Sequence, residues 1–235
     1  MYAKFKAARF DAEPYAQFVT AVGEPGLEIG CGDGEPLLTL RRKGLDVEGL
    51  DSSGDMLERC RINAAATGID VTLHHQRMEQ MSLPKRYRSI YLAGPTFNLL
   101  PDDETALQAL RAIREHLTSD GAALIPLWIP EPTLSDEFGV TREAIEADGT
   151  VLRYTAVSEV YDETARNRVT TTRYERITPN ATDSIEREWN LHWYGTERFE
   201  AMCSEAGLSV TAMVDDEGRA VSPQATEFTV TVQPG

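Results

Sequence analysis

The chain has 235 residues, with 38 acidic and 23 basic side chains and a net charge of −15. Such an excess of negative charge repels a phosphate backbone, which disfavours nucleic acid as the main substrate and favours a small molecule. The length suits one α/β domain, 1–235, with an insertion. Because no apolar run approaches the roughly 18 residues of a membrane span, we expect a cytoplasmic protein without a membrane partner.

Cysteine and histidine are sparse in this sequence. The three cysteines, Cys31, Cys60 and Cys203, are far apart and form no C-x-x-C pair, and the four histidines show no metal-ligand spacing. We therefore expect reduced thiols and no structural metal.

The first predicted element is a helix. Apolar residues recur at helical spacing from Tyr15 to Val22, Asp11 is placed to cap the start, and Gly23 follows the end.

A glycine-rich stretch, LEIGCGDG, follows at Leu27 to Gly34. A short apolar run with a carboxylate and three alternating glycines, followed by an apolar helical pattern, predicts a strand, a tight turn and a helix N-terminus where a nucleotide-like ligand binds. The dinucleotide fingerprint G-x-G-x-x-G would need a glycine at Glu35, and Glu28 repels phosphate. A cationic ligand such as S-adenosylmethionine suits this loop better; the alternative is a glycine-rich turn without a ligand.

This octapeptide resembles motif I of the class I S-adenosylmethionine-dependent methyltransferases, E/D-x-G-x-G-x-G, at Glu28, Gly30, Gly32 and Gly34. The resemblance implies a Rossmann-like α/β fold with a mostly parallel seven-stranded sheet of order 3-2-1-4-5-7-6, and S-adenosylmethionine as the cofactor. It also implies that the leading helix covers the cofactor and offers an aromatic residue to the substrate. Tyr15 and Phe10 are the candidates, with core packing as the alternative.

The second strand is predicted to end in Asp51, about 20 residues beyond Gly30, where a carboxylate reaches ribose hydroxyls in such folds. Asp51 or Ser52 could instead cap the following helix, predicted over 55–67. The family resemblance places Met56 against the adenine, although a methionine at helical spacing is also typical of a core.

After a third strand over 71–75, the resembled family has an acidic residue that accepts a hydrogen bond from the adenine amine. Arg77 occupies that place here, and an arginine cannot accept. Adenine recognition is then expected from backbone groups around Arg77 and Met78, or from the side chains of Gln76 or Glu79.

The fourth strand is predicted over 87–94, and the segment after it lines the methyl-transfer channel in the resembled enzymes. By position, Gly94 passes the cofactor, while Thr96, Phe97 and Asn98 face the methyl group or the substrate; an ordinary loop is the alternative. A helix over 102–117 and a fifth strand over 122–129 follow, and helices alternating with strands predict a parallel sheet.

The alternation of helices and strands ends after residue 130. Extended stretches over 150–161, 166–177 and 184–194 have the period of an antiparallel sheet with one wet face. The resemblance implies that this insertion, 130–194, covers the substrate. Thr196 is then expected to cap a helix that closes at Gly207, followed by strands over 208–214 and 226–232.

An aromatic cluster with an imidazole ends the insertion at His192, Trp193 and Tyr194. An unperturbed imidazole titrates near pH 6.5, so His192 is the candidate proton acceptor or substrate orienter, and a packed structural histidine is the alternative. Trp128 and Tyr15 are further members of an expected aromatic wall.

Methyl transfer needs alignment of nucleophile, methyl and sulfur, and removal of any proton that disables the nucleophile. The order of motifs resembles small-molecule N-methyltransferases, including those acting on nucleotide-linked amino sugars, and predicts methylation of a small amine. O- or C-methylation, a non-catalytic cofactor-binding protein and an NAD-dependent oxidoreductase are the alternative functions, and a homodimer is possible.

The predicted site comprises catalytic His192 and Tyr15; cofactor residues Glu28, Gly30, Cys31, Gly32, Asp51, Ser52, Met56, Gln76, Arg77, Met78 and Gly94; and acceptor residues Phe97, Asn98, Trp128, Trp193 and Tyr194.

Overall fold

The structure, a computed structural model, describes residues 11–146 and 148–235. Phe10, a candidate aromatic residue, lies outside them. The described residues form two compact units, one of which is Pro130–Trp193, the segment between the fifth strand and the last helix. The other unit consists of the described residues before and after that segment, and it carries the glycine-rich loop.

The described residues form five α-helices and eleven β-strands. The helices are α1 Glu13–Val22, α2 Leu37–Arg42, α3 Gly54–Thr67, α4 Asp103–His116 and α5 Thr196–Glu205. The strands are β1 Gly26–Ile29, β2 Val47–Asp51, β3 Leu73–His75, β4 Tyr87–Leu92, β5 Leu117–Trp128, β6 Thr141–Ile145, β7 Val151–Asp162, β8 Asn167–Thr178, β9 Ala181–His192, β10 Leu208–Val214 and β11 Glu227–Pro234.

The larger unit is built on a seven-stranded sheet of order β10-β11-β5-β4-β1-β2-β3. Strands β1 to β5 pair in parallel, whereas β11 is antiparallel to both of its neighbours. Counted within this sheet alone, β10 and β11 are the sixth and seventh strands. The mostly parallel α/β fold with an antiparallel insertion after the fifth strand is confirmed.

Both faces of this sheet are covered, as a parallel sheet requires. One core cluster joins strand residues such as Leu27 and Ile90 to Leu110 of α4 and Phe199 of α5. A second cluster, on α1 to α3, includes Val19, Leu37 and Leu57. The central strand β1 is buried along its whole length, so its carboxyl end, with the glycine loop, starts from a rigid base.

Helix starts depend on capping side chains that the sequence only partly revealed. Ser53 caps α3, its hydroxyl accepting from the Met56 amide at 3.3 Å. The expectation that Thr196 caps the last helix is wrong. Gly195 has the extended backbone of an N-cap residue, and Thr196 is the first helical residue, with its hydroxyl 3.5 Å from the Pro223 carbonyl.

Two strand boundaries also differ from expectation. Strand β5 begins at Leu117 rather than at 122, because Leu117 already pairs with Tyr87 before the register shifts between Tyr87 and Ser89. Strand β3 is only three residues long, Leu73–His75. Between β3 and β4 the chain forms a short 3₁₀ turn, Met78–Gln80, and not an α-helix.

The Pro130–Trp193 unit is a four-stranded antiparallel sheet of order β6-β7-β8-β9. The three long strands lie close to the predicted ranges, while β6 is additional. Its sequence, TREAI, lacks the strong alternation of a strand, and backbone pairing with β7 defines it, as between Arg142 and Tyr154. Among the described residues, no helix has the length and apolar character needed to cross a membrane.

Candidate cofactor site

The glycine-rich loop joins the buried strand β1 to helix α2. Gly30, Gly32 and Gly34 all have positive φ angles, +78°, +54° and +107°, which side chains with a β-carbon rarely adopt. A β-carbon on Gly30 would lie only 2.5 Å from Cγ2 of Thr96. The loop therefore needs glycine both for its backbone conformation and for the close approach of the segment after β4.

Asp51, at the carboxyl end of β2, ties this loop to the next helix. Its Oδ2 accepts from the Gly32 amide at 2.8 Å, and its Oδ1 accepts from the Ser53 amide at 2.7 Å. Each carboxylate oxygen keeps a second acceptor position. The half-buried carboxylate can thus accept hydrogen bonds from two neighbouring hydroxyls of a ligand while it holds the loop.

Glu28 lies beside a stack of two tyrosine rings near the loop. The Tyr91 hydroxyl donates to Oε2 of Glu28 at 2.7 Å, and both side chains are fully buried. The ring of Tyr15, from α1, stacks on Tyr91 at a centroid distance of 5.3 Å, and its hydroxyl accepts from the Gly94 amide at 3.0 Å. The structure therefore connects Glu28 to Tyr15 through Tyr91, and it connects Tyr15 directly to Gly94, although these residues are far apart in the sequence.

The two phenols of this stack are held in their protonated form. Burial, and after it the charge of Glu28, raises the pKa of Tyr91 well above the ordinary value for tyrosine. Burial also raises the pKa of Tyr15, although the hydrogen bond from Gly94 acts in the opposite direction. At neutral pH both groups are hydrogen-bond donors and not bases.

A surface cavity of about 270 Å³ lies beside Asp51. It is lined by the residues that follow β2 and β3: Ser52, His75, Gln76, Arg77 and Gln80. A cavity of this size is below the usual range for a whole drug-sized ligand and would hold one part of a ligand, such as a base.

Several polar side chains of this cavity wall already have partners, among them Gln76 and Arg77. The Gln76 amide group accepts from the Ser82 backbone amide at 2.8 Å and donates to the Ser82 carbonyl at 3.2 Å, which closes the loop between β3 and β4. Arg77 forms an ion pair with Glu79. Met78 packs against the core of the larger unit. The contribution of these residues to base recognition thus stays a prediction, with Gln76 held mainly by the chain itself.

Cys31 and Met56 border the loop in different ways. The Cys31 side chain is buried in the core, where burial raises the pKa of the thiol, so that this residue offers only its backbone to the loop. Met56 is half-buried, and its terminal methyl group lies 3.3 Å from the position that a β-carbon on Gly32 would take. Met56 therefore borders the loop from α3.

Four of the predicted acceptor residues have structural partners within the larger unit. Phe97 and Tyr194 are fully buried and pack edge to face at 5.6 Å. Asn98 is also fully buried; its amide donates to the Trp128 carbonyl at 2.9 Å and accepts from the Trp128 amide at 3.1 Å. These contacts hold the segment after β4 to β5 and to the core.

His192 and Trp193 belong to the Pro130–Trp193 unit. His192 ends β9 opposite Asn167 and is 4% exposed. The Trp193 ring stacks on Tyr161 at 5.1 Å, and its amide donates to the Arg166 carbonyl at 3.1 Å. Both residues are thus built into the insertion's own packing.

Tyr91 is a part of the candidate site that the sequence analysis did not predict. In the sequence it is one of several apolar residues of a buried strand. The strand register could have identified it, because Tyr91 pairs with Glu28 in the parallel sheet and paired residues lie on the same face of the sheet.

Comparisons with known proteins agree with this arrangement. Residues 27–121, which contain the glycine loop, Asp51 and the Gly94 segment, match a family model described as a methyltransferase domain. The chain is 28% identical over 189 residues to the dTDP-3-amino-3,6-dideoxy-alpha-D-glucopyranose N,N-dimethyltransferase of Streptomyces fradiae, which covers 80% of this chain and 71% of that protein.

Solved structures show the same fold. An S-adenosylmethionine-dependent methyltransferase from Clostridium acetobutylicum aligns with a TM-score of 0.78 at 15% identity, covering 100% of this chain and 96% of that one. A sugar N-methyltransferase from a Streptoalloteichus species aligns with a TM-score of 0.77 at 18% identity, covering 100% and 91%. The left-handed glycines and the free acceptor positions of Asp51 also fit the methionyl and ribose parts of S-adenosylmethionine. The domain match, the similarity to the Streptomyces fradiae relative and the shared fold together support a small-molecule S-adenosylmethionine-dependent methyltransferase of class I.

Proposed function

We propose that this chain transfers a methyl group to the amine nitrogen of a small acceptor of the amino-sugar type. The observation that carries this proposal is the similarity to an amino-sugar N,N-dimethyltransferase, which spans 80% of the chain. The net charge of −15 also favours a small acceptor over a polyanion.

The residues around the glycine loop are the ones we propose to hold the cofactor. The Gly30–Gly32 backbone and Glu28 are suited to its positively charged amino-acid part, because a carboxylate favours a nearby cation. Asp51 has acceptor positions for the ribose hydroxyls, and the cavity that begins at Ser52 suits the base. When bound, S-adenosylmethionine supplies a methyl group activated by its sulfonium.

We propose that Tyr15 orients the acceptor. Its hydroxyl accepts from the Gly94 amide, which leaves its own proton for donation to a ligand. Because its pKa is raised, Tyr15 stays protonated at neutral pH and is not a base. An acceptor that arrives as an ammonium ion must lose a proton before its nitrogen can attack the methyl group, and His192 is the candidate acceptor of that proton.

Several finer points belong to the same proposal. The expected roles of Trp128 and Trp193 toward the acceptor, and of the 130–194 insertion as its cover, stay predictions. The cysteines Cys31, Cys60 and Cys203 are free and buried, which supports a reducing compartment such as the cytoplasm.

A product assay tests the proposed reaction. The purified chain is incubated with S-adenosylmethionine and a panel of amino sugars, free and nucleotide-linked, beside simple amines and phenols, and products are identified by mass spectrometry. We expect the mass gain of one or two methyl groups on an amino sugar. Methylation confined to phenols would contradict the choice of nitrogen, and uptake of S-adenosylmethionine without any product would favour a cofactor-binding protein that lacks transfer activity.

The oxidoreductase alternative is tested separately, by calorimetric titration with S-adenosylmethionine and with NAD. We expect binding of the first only, because Glu28 and Glu35 stand where a pyrophosphate site has neutral residues.

A further inference from the structure

Tyr91 places a phenol directly against the acidic residue of the glycine loop. Tyr91 and Glu28 are register partners on the neighbouring parallel strands β4 and β1. Both residues are fully buried, and the hydroxyl donates to the carboxylate at 2.7 Å. A hydrogen bond to an ionised carboxylate is about twice as strong as one between neutral groups, and it is directional, so it restricts where the carboxylate lies.

The ring of Tyr91 cannot account for the choice of tyrosine. Stacking on Tyr15 at 5.3 Å and packing against α1 would be served equally by phenylalanine. Burial of a phenol costs free energy unless its hydroxyl finds a partner, and here that partner is Glu28. The hydroxyl therefore acts specifically on this carboxylate.

The position of the pair connects it to cofactor binding. Glu28 lies two residues before Gly30, and Tyr91 lies three residues before Gly94, whose amide bonds Tyr15. The pair thus spans the carboxyl ends of the two central strands, from which both segments of the cofactor site emerge.

We propose that Tyr91 is a positioning residue of the methyltransferase, whose hydroxyl holds the Glu28 carboxylate in the place from which it attracts the cationic cofactor. This inference rests on the proposed role of Glu28 in cofactor binding. Tyr91 itself acts through Glu28 and touches neither methyl donor nor acceptor in the proposal.

The same strand offers a matched control. Tyr87 is also a fully buried tyrosine of β4, and its hydroxyl also donates to a carboxylate at 2.7 Å, in this case Glu48 on β2. Glu48 is further bonded by Lys85 and His74. Y87F therefore removes the same kind of hydrogen bond from the same strand, but from a different carboxylate.

The test is a calorimetric titration with S-adenosylmethionine of wild type, Y91F, Y87F, E28Q and E28Q/Y91F, with unfolding temperatures measured in parallel. We expect Y91F to bind roughly tenfold more weakly, the scale of a lost hydrogen bond to a charged group. Y87F should lose thermal stability and keep its affinity. Because Tyr91 acts through Glu28, E28Q/Y91F should bind no more weakly than E28Q, a clear departure from additivity.

Each outcome decides the proposal. Wild-type affinity in Y91F, equal losses in Y91F and Y87F, or additive losses in the double variant would overturn it while the proposed function stands. Absence of binding by the wild type would overturn both. Should Y91F not fold because the buried Glu28 charge loses this hydrogen bond, E28Q/Y91F, which lacks that charge, is compared with E28Q: equal affinities support the role of Tyr91, and a further tenfold loss in the double variant overturns it.

Discussion

Single residues decide the shape of the cofactor loop, and two glycines show how. Gly30 and Gly44 both have left-handed backbones, with φ of +78° and +87°. A β-carbon on Gly30 would meet Cγ2 of Thr96 at 2.5 Å, whereas around Gly44 the described residues place no heavy atom within 4 Å of that position. A substitution would strain the backbone at both glycines, but only at Gly30 would it also bring the new side chain into a steric clash, with Thr96.

We expect Gly30→Ala to lower the free energy of unfolding more than Gly44→Ala. Both variants incur the left-handed strain of about 1–2 kcal/mol, and only the first adds a steric clash. Chemical denaturation measures the difference. Adding Thr96→Ser, which removes Cγ2, should recover part of the loss in Gly30→Ala; equal losses at the two glycines would contradict the close approach of Thr96.

Asp51→Asn should weaken S-adenosylmethionine binding by about tenfold or more. The substitution places an NH₂ group against a backbone N–H, at Gly32 or at Ser53, where the carboxylate now accepts from both. The control is Asp55→Asn, an exposed acid in the first turn of α3. Calorimetric titration of both variants is the measurement, and undiminished binding by Asp51→Asn would remove Asp51 from the site.

Spacing along the sequence singles out positions such as Gly30 and Asp51, whose roles toward the cofactor stay predictions. Spacing does not reveal a side-chain partner that is distant in the sequence. Asn98 was expected to face the substrate, yet its amide group bonds the backbone of Trp128, 30 residues away. Tyr91 was missed for the same reason, because its partner Glu28 lies 63 residues earlier.

At the scale of elements, one buried acid organises the insertion. Glu159 of β7 accepts from the amide and the hydroxyl of Thr133, at 2.9 and 2.7 Å, and from the Thr170 hydroxyl on β8 at 3.0 Å. The Nε atom of Arg168 lies 3.7 Å from Oε2 of Glu159. These bonds hold the segment after Pro130 against the insertion's own sheet. No local sequence pattern predicts this role of Glu159.

This cluster gives the insertion an acid-sensitive stability. Burial acts to raise the pKa of Glu159, but the hydrogen bonds from Thr133 and Thr170 and the charge of Arg168 outweigh it, so the pKa lies below its ordinary value of 4.5. A lowered folded-state pKa stabilises the fold above the unfolded pKa, and this contribution is lost as the pH falls through the folded value.

We therefore expect the Thr133 amide to lose protection from hydrogen exchange as the pH falls below about 4.5, after correction for the intrinsic exchange rate. In Glu159→Gln this pH dependence should be absent, and the amide should be less protected at pH 7. Identical profiles for the two proteins would show that Glu159 does not hold this segment.

At the scale of the whole molecule, charge and strand order agree with a small-molecule enzyme. Two of the three basic residues at 85–88 are paired with acids, Lys85 with Glu48 at 2.6 Å and Arg88 with Asp120 at 3.2 Å. The parallel sheet followed from the alternation of helices and strands. The short strand β6 did not follow, because its pairing with β7, and not its composition, defines it.

The account rests on S-adenosylmethionine binding at the carboxyl ends of β1 and β2, and a crystal structure with S-adenosylhomocysteine bound tests this most directly. We expect the ribose hydroxyls on Asp51 and the amino-acid part along Gly30 and Gly32. A ligand bound elsewhere on the protein, or crystals that take up none at saturating concentration, would contradict the account.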